Sequence, residues 1–318
     1  MNTGNIVLPT GRVLIIGSGN VGTSIAYSLL NQEVVKHIML YDIVEEVAKA
    51  NAYDLQDASN FTEGVKVSFG NYSELNDGDV VIITCGLAQK KGQSRLDLLK
   101  QNASIIKEVV NNIKKTGKKV FVIMVTNPVD VLTQIAVDEL NLTDGMVFGS
   151  GTYLDSGRLR FIISEKLNVN PINVHAYVLG EHGDSSFPVL SSANIGGICL
   201  KNLIQVTDEY YDELTKLVRE KAYKIIQGKK ATCFGIGEAI AKIVKCILRD
   251  EERIFPLSVP LRGEYGINGI SMSIPVKLST KGFERIGEIS LDHKELELMK
   301  RSADILRKNL TSVRENVT

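Results

Sequence analysis

Short unbroken apolar runs alternate with longer stretches whose apolar residues recur every three or four positions, and this rhythm organises the first 150 residues. Val13-Leu14-Ile15-Ile16 is one such run, short and β-branched, as in a strand buried on both faces. Thr23 to Asn31 then reads as a helix, His37 to Tyr41 as a strand, Val44 to Phe61 as a helix and Val65 to Phe69 as a strand. Asp79 to Thr84 and Val120 to Val125 repeat the buried-strand pattern. Between them Leu99, Ala103, Ile106, Val110 and Ile113 step in fours and threes along one helix face, and Gly117 stops that helix. Asp130 to Leu140 is helical, and Val147-Phe148 leads into Gly149-Ser150-Gly151. Such alternation predicts a doubly wound parallel sheet.

From Thr152 the rhythm changes. Tyr153 to Leu167 reads as a helix, Val174 to Leu179 as a strand, and Gly180-Glu181-His182-Gly183-Asp184 as a loop. Asp208 to Gln227 and Ile236 to Leu248 read as helices. Ile254 to Leu261 and Ile270 to Leu278 read as paired strands around Gly266-Ile267-Asn268-Gly269. The last helix shows Leu296, Met299, Ala303, Leu306 and Leu310 on one face, which is expected to pack on its own domain. The 318 residues exceed one typical core. The expected division is α/β over 1–150, for a dinucleotide, and α+β over 151–318, for a substrate.

Charge and composition narrow the function classes. Lys plus Arg and Asp plus Glu are equal at 37 each, which argues against a nucleic-acid partner. No apolar run approaches the ~20 residues of a membrane span, and the first residues, MNTGNIVLPTGR, lack the pattern of a secretory signal. Cys85, Cys199, Cys233 and Cys246 are scattered without a CxxC pair, so they read as small residues in or near the core, in a reducing cytoplasm. Neither HExxH nor ligand-spaced cysteines occur, so no metal site is expected.

The strand at Val13 runs directly into Gly17-Ser18-Gly19-Asn20-Val21-Gly22. In a strand–turn–helix setting Gly17 makes the tight turn, Gly19 admits a pyrophosphate to the backbone, and Gly22 allows close packing. The following helix points free N–H groups and its positive dipole end at that phosphate. Asp42 lies 20 residues beyond Gly22 at the end of the next strand, the spacing at which a carboxylate bonds a ribose 2′-hydroxyl and repels a 2′-phosphate. The unit is the Rossmann dinucleotide fingerprint, with NAD preferred over NADP.

Ligands of open parallel sheets gather at the carboxyl ends of strands. Arg95 follows one strand, Asn127 ends the next, and His182 follows a strand in the second half. Asp155 and Arg158 lie three apart on one helix and share a face. His182, one of four histidines, is flanked by glycines that leave its ring accessible, and Asp155 could orient it. A Tyr-x-x-x-Lys pair and a G-x-S-x-G elbow are both absent, which removes two other site types.

The fingerprint with Asp42, Gln89-Lys90-Lys91-Gly92-Gln93-Ser94-Arg95, Thr126-Asn127-Pro128-Val129-Asp130, Leu154-Asp155-Ser156-Gly157-Arg158 and Gly180-Glu181-His182-Gly183-Asp184 together resemble the NAD-dependent L-lactate/malate dehydrogenase family, in order and spacing across nearly the whole chain. The resemblance implies the site roles. Arg158 would hold the substrate carboxylate, His182 would exchange the proton, and Asp155 would orient His182. Arg95 would swing in on a loop and polarise the carbonyl, and Asn127 would bond the same oxygen. Thr232 and Ile236 would line the substrate and nicotinamide pocket, with Gly86 and Gly92 as hinges.

Gln89 occupies the position that is characteristically arginine in members using malate. A neutral side chain leaves a second substrate carboxylate without a counter-charge, so pyruvate and L-lactate are expected over oxaloacetate and malate. Ala88 and Lys91 depart from the asparagine and proline of many bacterial members, which keeps a broader 2-hydroxy acid range open. Arg160 and His175 match positions that bind fructose-1,6-bisphosphate at a subunit interface in activated members, though Arg160 also reads as a solvated helix residue and His175 as a strand residue packed beside Asn173. The family implies a cytoplasmic homotetramer serving glycolysis and fermentation. A catalytically silent NAD sensor would need only the fingerprint, and has no use for His182, Asp155, Arg158, Arg95 and Asn127 together.

Overall fold

A computed structural model describes residues 10–87 and 95–314. Six strands, β1 (Arg12–Ile16), β2 (His37–Tyr41), β3 (Lys66–Phe69), β4 (Val80–Ile83), β5 (Phe121–Met124) and β6 (Val147–Gly149), form a parallel array in the order β3-β2-β1-β4-β5-β6. They alternate with α1 (Asn20–Asn31), α2 (Glu45–Ser59), α3 (Arg95–Lys115) and α4 (Val129–Leu140). The apolar runs belong to this array because helices cover both faces: Val13, Leu14, Ile15, Val80, Ile82 and Ile123 have no solvent exposure. Strand order reverses between β1 and β4, which opens a crevice beyond their carboxyl ends.

The second half contains α5 (Tyr153–Leu167), β7 (Val174–Leu179), β8 (Phe187–Ile195), β9 (Ile198–Cys199), α6 (Asp208–Lys229), α7 (Phe234–Arg249), β10 (Arg253–Arg262), β11 (Asn268–Ser279), β12 (Gly282–Glu284) and α8 (His293–Arg314). β7, β8 and β9 make a small antiparallel sheet over a core that includes Leu159, Ile163, Val178, Leu190 and Leu214. The antiparallel group β10-β11-β12 instead joins the edge of the first sheet where Ser258 pairs with Gly149, giving nine strands in all. One sheet therefore runs through the expected domain junction.

One expectation about this half needs correction, and three strands lie where the sequence pattern predicts no element. β8, β9 and β12 were not expected: β8 carries Pro188 and the exposed pair Ser191-Ser192, which interrupt its apolar alternation, and the other two have two and three residues. The apolar face of α8 does not pack on its own half alone. Met299, Ala303, Leu306 and Leu310 are buried, and the helix contacts α3 and α4 as well as β8 and β11. Among the described residues no helix is long and apolar enough to cross a membrane, and no cluster of His, Cys, Asp or Glu could hold a metal ion.

Candidate active site

The end of β1 is shaped for a pyrophosphate. Gly17 turns with φ at +102°, and a Cβ there would lie 2.6 Å from the backbone nitrogen of Cys85. A Cβ on Gly22 would meet the carbonyl oxygen of Gly17 at 1.9 Å, so a side chain is barred by the turn itself. Gly19 caps α1 without a side-chain hydrogen bond, and a Cβ on it would face open space. The N–H groups of Asn20 and Val21 therefore begin the helix beside accessible volume.

Asp42 follows β2 and reaches back to the same turn. Its Oδ2 accepts the Ser18 N–H at 2.7 Å and its Oδ1 the Val44 N–H at 3.0 Å. The carboxylate stands where a ribose hydroxyl can donate to it and a 2′-phosphate would be repelled. These residues fit a bound NAD. α7 packs closely on α1, since a Cβ on Gly237 would meet the Ser24 carbonyl oxygen at 2.8 Å, and it carries the half-buried Ile236 toward the cofactor helix.

The start of α5 and the end of β7 are fastened together. The Thr152 hydroxyl donates to the Val178 carbonyl, and the Val178 N–H donates to Ser156 Oγ at 2.9 Å. This brings Asp155 under His182, in the loop after β7. Asp155 Oδ2 lies 2.6 Å from His182 Nδ1, while Asp155 Oδ1 accepts from Arg158 Nη1 at 2.7 Å. The Asp155 and Arg158 side chains are each 9% exposed and the His182 ring is 27% exposed. Burial alone would raise the carboxyl pKa of Asp155, but the adjacent His182 and Arg158 cations hold it below the usual carboxylate value. Burial would likewise lower the imidazole, but Asp155 outweighs it and His182 is held above its ordinary 6.5.

A cavity of about 910 Å³ opens over His182, with Asn127, Leu96, Leu99, Arg219 and Leu298 in its walls. Asn127 follows β5, and its carbonyl accepts from Asn102 Nδ2 at 3.0 Å. Asn102 also takes the Leu87 N–H at 2.8 Å, tying the chain after β4 to the chain after β5. Gln89, Ala88, Lys91 and Gly92 lie outside the described residues, and Arg95 opens α3 with only its backbone described. Thr232 is half-buried between α6 and α7, and Thr232, Ile236 and Arg158 are not among the described residues that line the cavity.

The remaining expected pair lies away from this cavity's described lining. Arg160 on α5 stacks over the Tyr153 ring at 5.9 Å and also influences Tyr177 on β7. His175 is exposed on β7, two residues before Tyr177 and so on the same face. Three site residues went unassigned at the level of sequence: Asn102, Ser302 and Asp130. All three are buried and touch the site's backbone. A lone carboxylate in the otherwise apolar start of α4 was the available signal for Asp130.

Residues 11–149 match a family model described as lactate/malate dehydrogenase, NAD binding domain, and residues 152–317 match lactate/malate dehydrogenase, alpha/beta C-terminal domain. L-lactate dehydrogenase 1 of Peribacillus psychrosaccharolyticus is 40% identical over 304 residues, covering 94% of this chain and 96% of that protein. L-lactate dehydrogenase of Latilactobacillus sakei subsp. sakei (strain 23K) is 41% identical over 317 residues, covering 98% of each. The solved minor L-lactate dehydrogenase from Enterococcus mundtii superposes with a TM-score of 0.92 at 38% identity, covering 95% of this chain and 98% of the other.

Proposed function

The chain belongs to the lactate/malate dehydrogenase family, and from that premise we propose that it interconverts pyruvate and L-lactate, with His182 exchanging the proton and Arg158 holding the substrate carboxylate. The observation that carries this reading is the placement of Asp155 between His182 and Arg158, at 2.6 and 2.7 Å. Residues 1–150 hold NAD and lend Gln89, Arg95 and Asn127 to the substrate, and 151–318 form the substrate and catalytic half with Asp155, Arg158 and His182. Bound NADH supplies the hydride.

Arg158 offers its remaining guanidinium donors to the carboxylate as a planar pair. With Nδ1 held by Asp155, Nε2 is the ring nitrogen that gives its proton to the keto oxygen in reduction and takes it back in oxidation. Asp155 stabilises the imidazolium, and Asn127 and Arg95 donate to the oxygen on which negative charge develops. Gln89 selects against a second carboxylate, which it would desolvate without a counter-charge. Thr232 and Ile236 line the substrate and nicotinamide pocket. We assign the enzyme to the cytoplasm, in glycolysis and fermentation, as a homotetramer with Arg160 and His175 receiving fructose-1,6-bisphosphate. The influence of Arg160 on Tyr177, which lies two residues from His175 on β7, supports that last assignment.

The test follows NADH oxidation with pyruvate, oxaloacetate and a branched 2-keto acid, each with and without fructose-1,6-bisphosphate. Strong preference for pyruvate is expected. Preference for oxaloacetate would reverse the role given to Gln89, and equal use of all three would support a general 2-hydroxy acid dehydrogenase. A saturation curve unmoved by the bisphosphate would remove the roles of Arg160 and His175. Sedimentation of the purified protein tests the tetramer.

A further inference from the structure

Two consecutive backbone amides of the loop that carries His182 are each taken by a buried side chain from a different helix. The Glu181 N–H donates to Ser302 Oγ of α8 and the His182 N–H to Asp130 Oδ2 of α4, both at 2.7 Å. Ser302 is fully buried and Asp130 is 1% exposed. Gly180 makes room for this approach, because a Cβ there would meet Ser302 Oγ at 2.9 Å. Asp130 is the more costly of the two holders. Its buried Oδ1 faces the Ser258 hydroxyl of β10, which pulls on its charge, and among the described residues neither atom makes a hydrogen bond of ordinary geometry. A carboxylate so placed destabilises the fold relative to a neutral acceptor. An asparagine oxygen would satisfy the same N–H, so the charge itself calls for an explanation.

We propose that Asp130 is a second positioning carboxylate for His182, fixing its backbone from α4 while its charge favours the imidazolium that Asp155 holds from α5. This rests on His182 being the proton-exchanging group. Among the described residues, the charged groups facing His182 are Asp155 and Arg158 from α5 and Asp130 from α4, with Glu181 beside it in the loop. Asp155 and Asp130 favour the charged ring and Arg158 opposes it. Burial pushes the Asp130 carboxyl up to about 6, against the pull of Ser258 and of the His182 N–H and ring. Asp130 therefore carries its charge at neutral pH and loses it under mild acid.

The test uses the full-length protein with NADH, as Asp130→Asn and Ser302→Ala. With four histidines in the chain, the His182 ring can be followed by NMR through a pH titration without substrate. Asp130→Asn is expected to lower the His182 midpoint by about 0.5 to 1 pH unit. It should move the basic limb of pyruvate reduction by the same amount and reduce kcat roughly tenfold, with NADH affinity unchanged. Ser302→Ala should reduce kcat without moving the midpoint. A folded Asp130→Asn whose midpoint stays at the wild-type value would overturn the proposal. If that variant does not fold, Ser258→Ala gives the second reading. Loss of the facing hydroxyl leaves Asp130 less ionised near neutrality, so the His182 midpoint should fall by a smaller amount, and no movement there also overturns it. Absence of pyruvate turnover in the wild type would count against the functional reading, while the titration would still decide the role of Asp130.

Discussion

The carboxylate of Asp155 meets the ring of His182 at 2.6 Å, Oδ2 to Nδ1, across the junction where α5 begins and β7 ends. The contact occupies Nδ1, leaves Nε2 for the proposed proton exchange and offsets the desolvation of the ring, so His182 is held above the ordinary imidazole value of 6.5. Reduction needs the charged ring and oxidation the neutral one.

That sign gives the first prediction. A raised pKa means that the proton is retained through neutral pH and lost only as pH rises through the shifted value. Pyruvate reduction should stay level across neutrality and then decline, and lactate oxidation should rise over the same interval. In Asp155→Asn both inflections should move to lower pH, and kcat should fall roughly a hundredfold as the ring loses its orienting partner. Initial rates in both directions against pH check this; inflections that stay in place would remove Asp155 from the proton-exchanging unit.

Among the described residues Arg158 is bound to Asp155 through Nη1 at 2.7 Å, which leaves the rest of its donor set for a carboxylate. Lysine would keep the charge but present a point instead of a fork. Arg158→Lys should raise KM for pyruvate roughly a hundredfold, equivalent to about 3 kcal/mol, with NADH affinity unaltered. Steady-state kinetics beside NADH fluorescence titration separates the two effects. A parallel loss of NADH binding would mean that the change disrupts the fold instead.

Asp42 is held on the glycine turn by the Ser18 N–H at 2.7 Å. In Asp42→Ser the repulsion of a 2′-phosphate disappears together with the acceptor for the ribose hydroxyl. The ratio of kcat/KM for NADH to that for NADPH should fall roughly a hundredfold, near 3 kcal/mol, by loss on one side and gain on the other. An unchanged ratio would place the ribose elsewhere.

The first-half strands were readable because they are buried on both faces, so each is a plain apolar run such as Val80 to Ile83. The matching helices carried a stripe at helical spacing, as in Leu99 to Ile113. β8 was not readable, since Pro188 and the exposed Ser191-Ser192 break its period, and its inward residues are fixed by β7 and α8. His182, Asp155 and Arg158 stood out through glycine flanks and helical spacing, and the meeting of His182 with Asp155 depends on the Thr152–Val178 and Ser156–Val178 bonds. The holders Asn102, Asp130 and Ser302 act on backbone groups distant in the chain. No local pattern encodes such a contact, because any polar side chain on a helix has the same local spacing whether it faces solvent or another loop.

Asn102 supplies the last prediction. It is 1% exposed, accepts the Leu87 N–H at 2.8 Å and donates to the carbonyls of Leu87 at 3.3 Å and Asn127 at 3.0 Å. One side chain thus joins the stem after β4 to the residue expected to bond the substrate oxygen. Asn102→Ala would strand backbone groups in a buried place, at a cost of about 2 to 3 kcal/mol in folding stability. The urea midpoint should fall with an unchanged slope, which marks a loss of stability without a change in the surface exposed on unfolding. Because Asn127 would lose its anchor as well, kcat for pyruvate should fall roughly tenfold at temperatures where the variant is fully folded. A lower urea midpoint with an undiminished kcat would assign Asn102 to the fold alone and leave Asn127 positioned by the turn after β5.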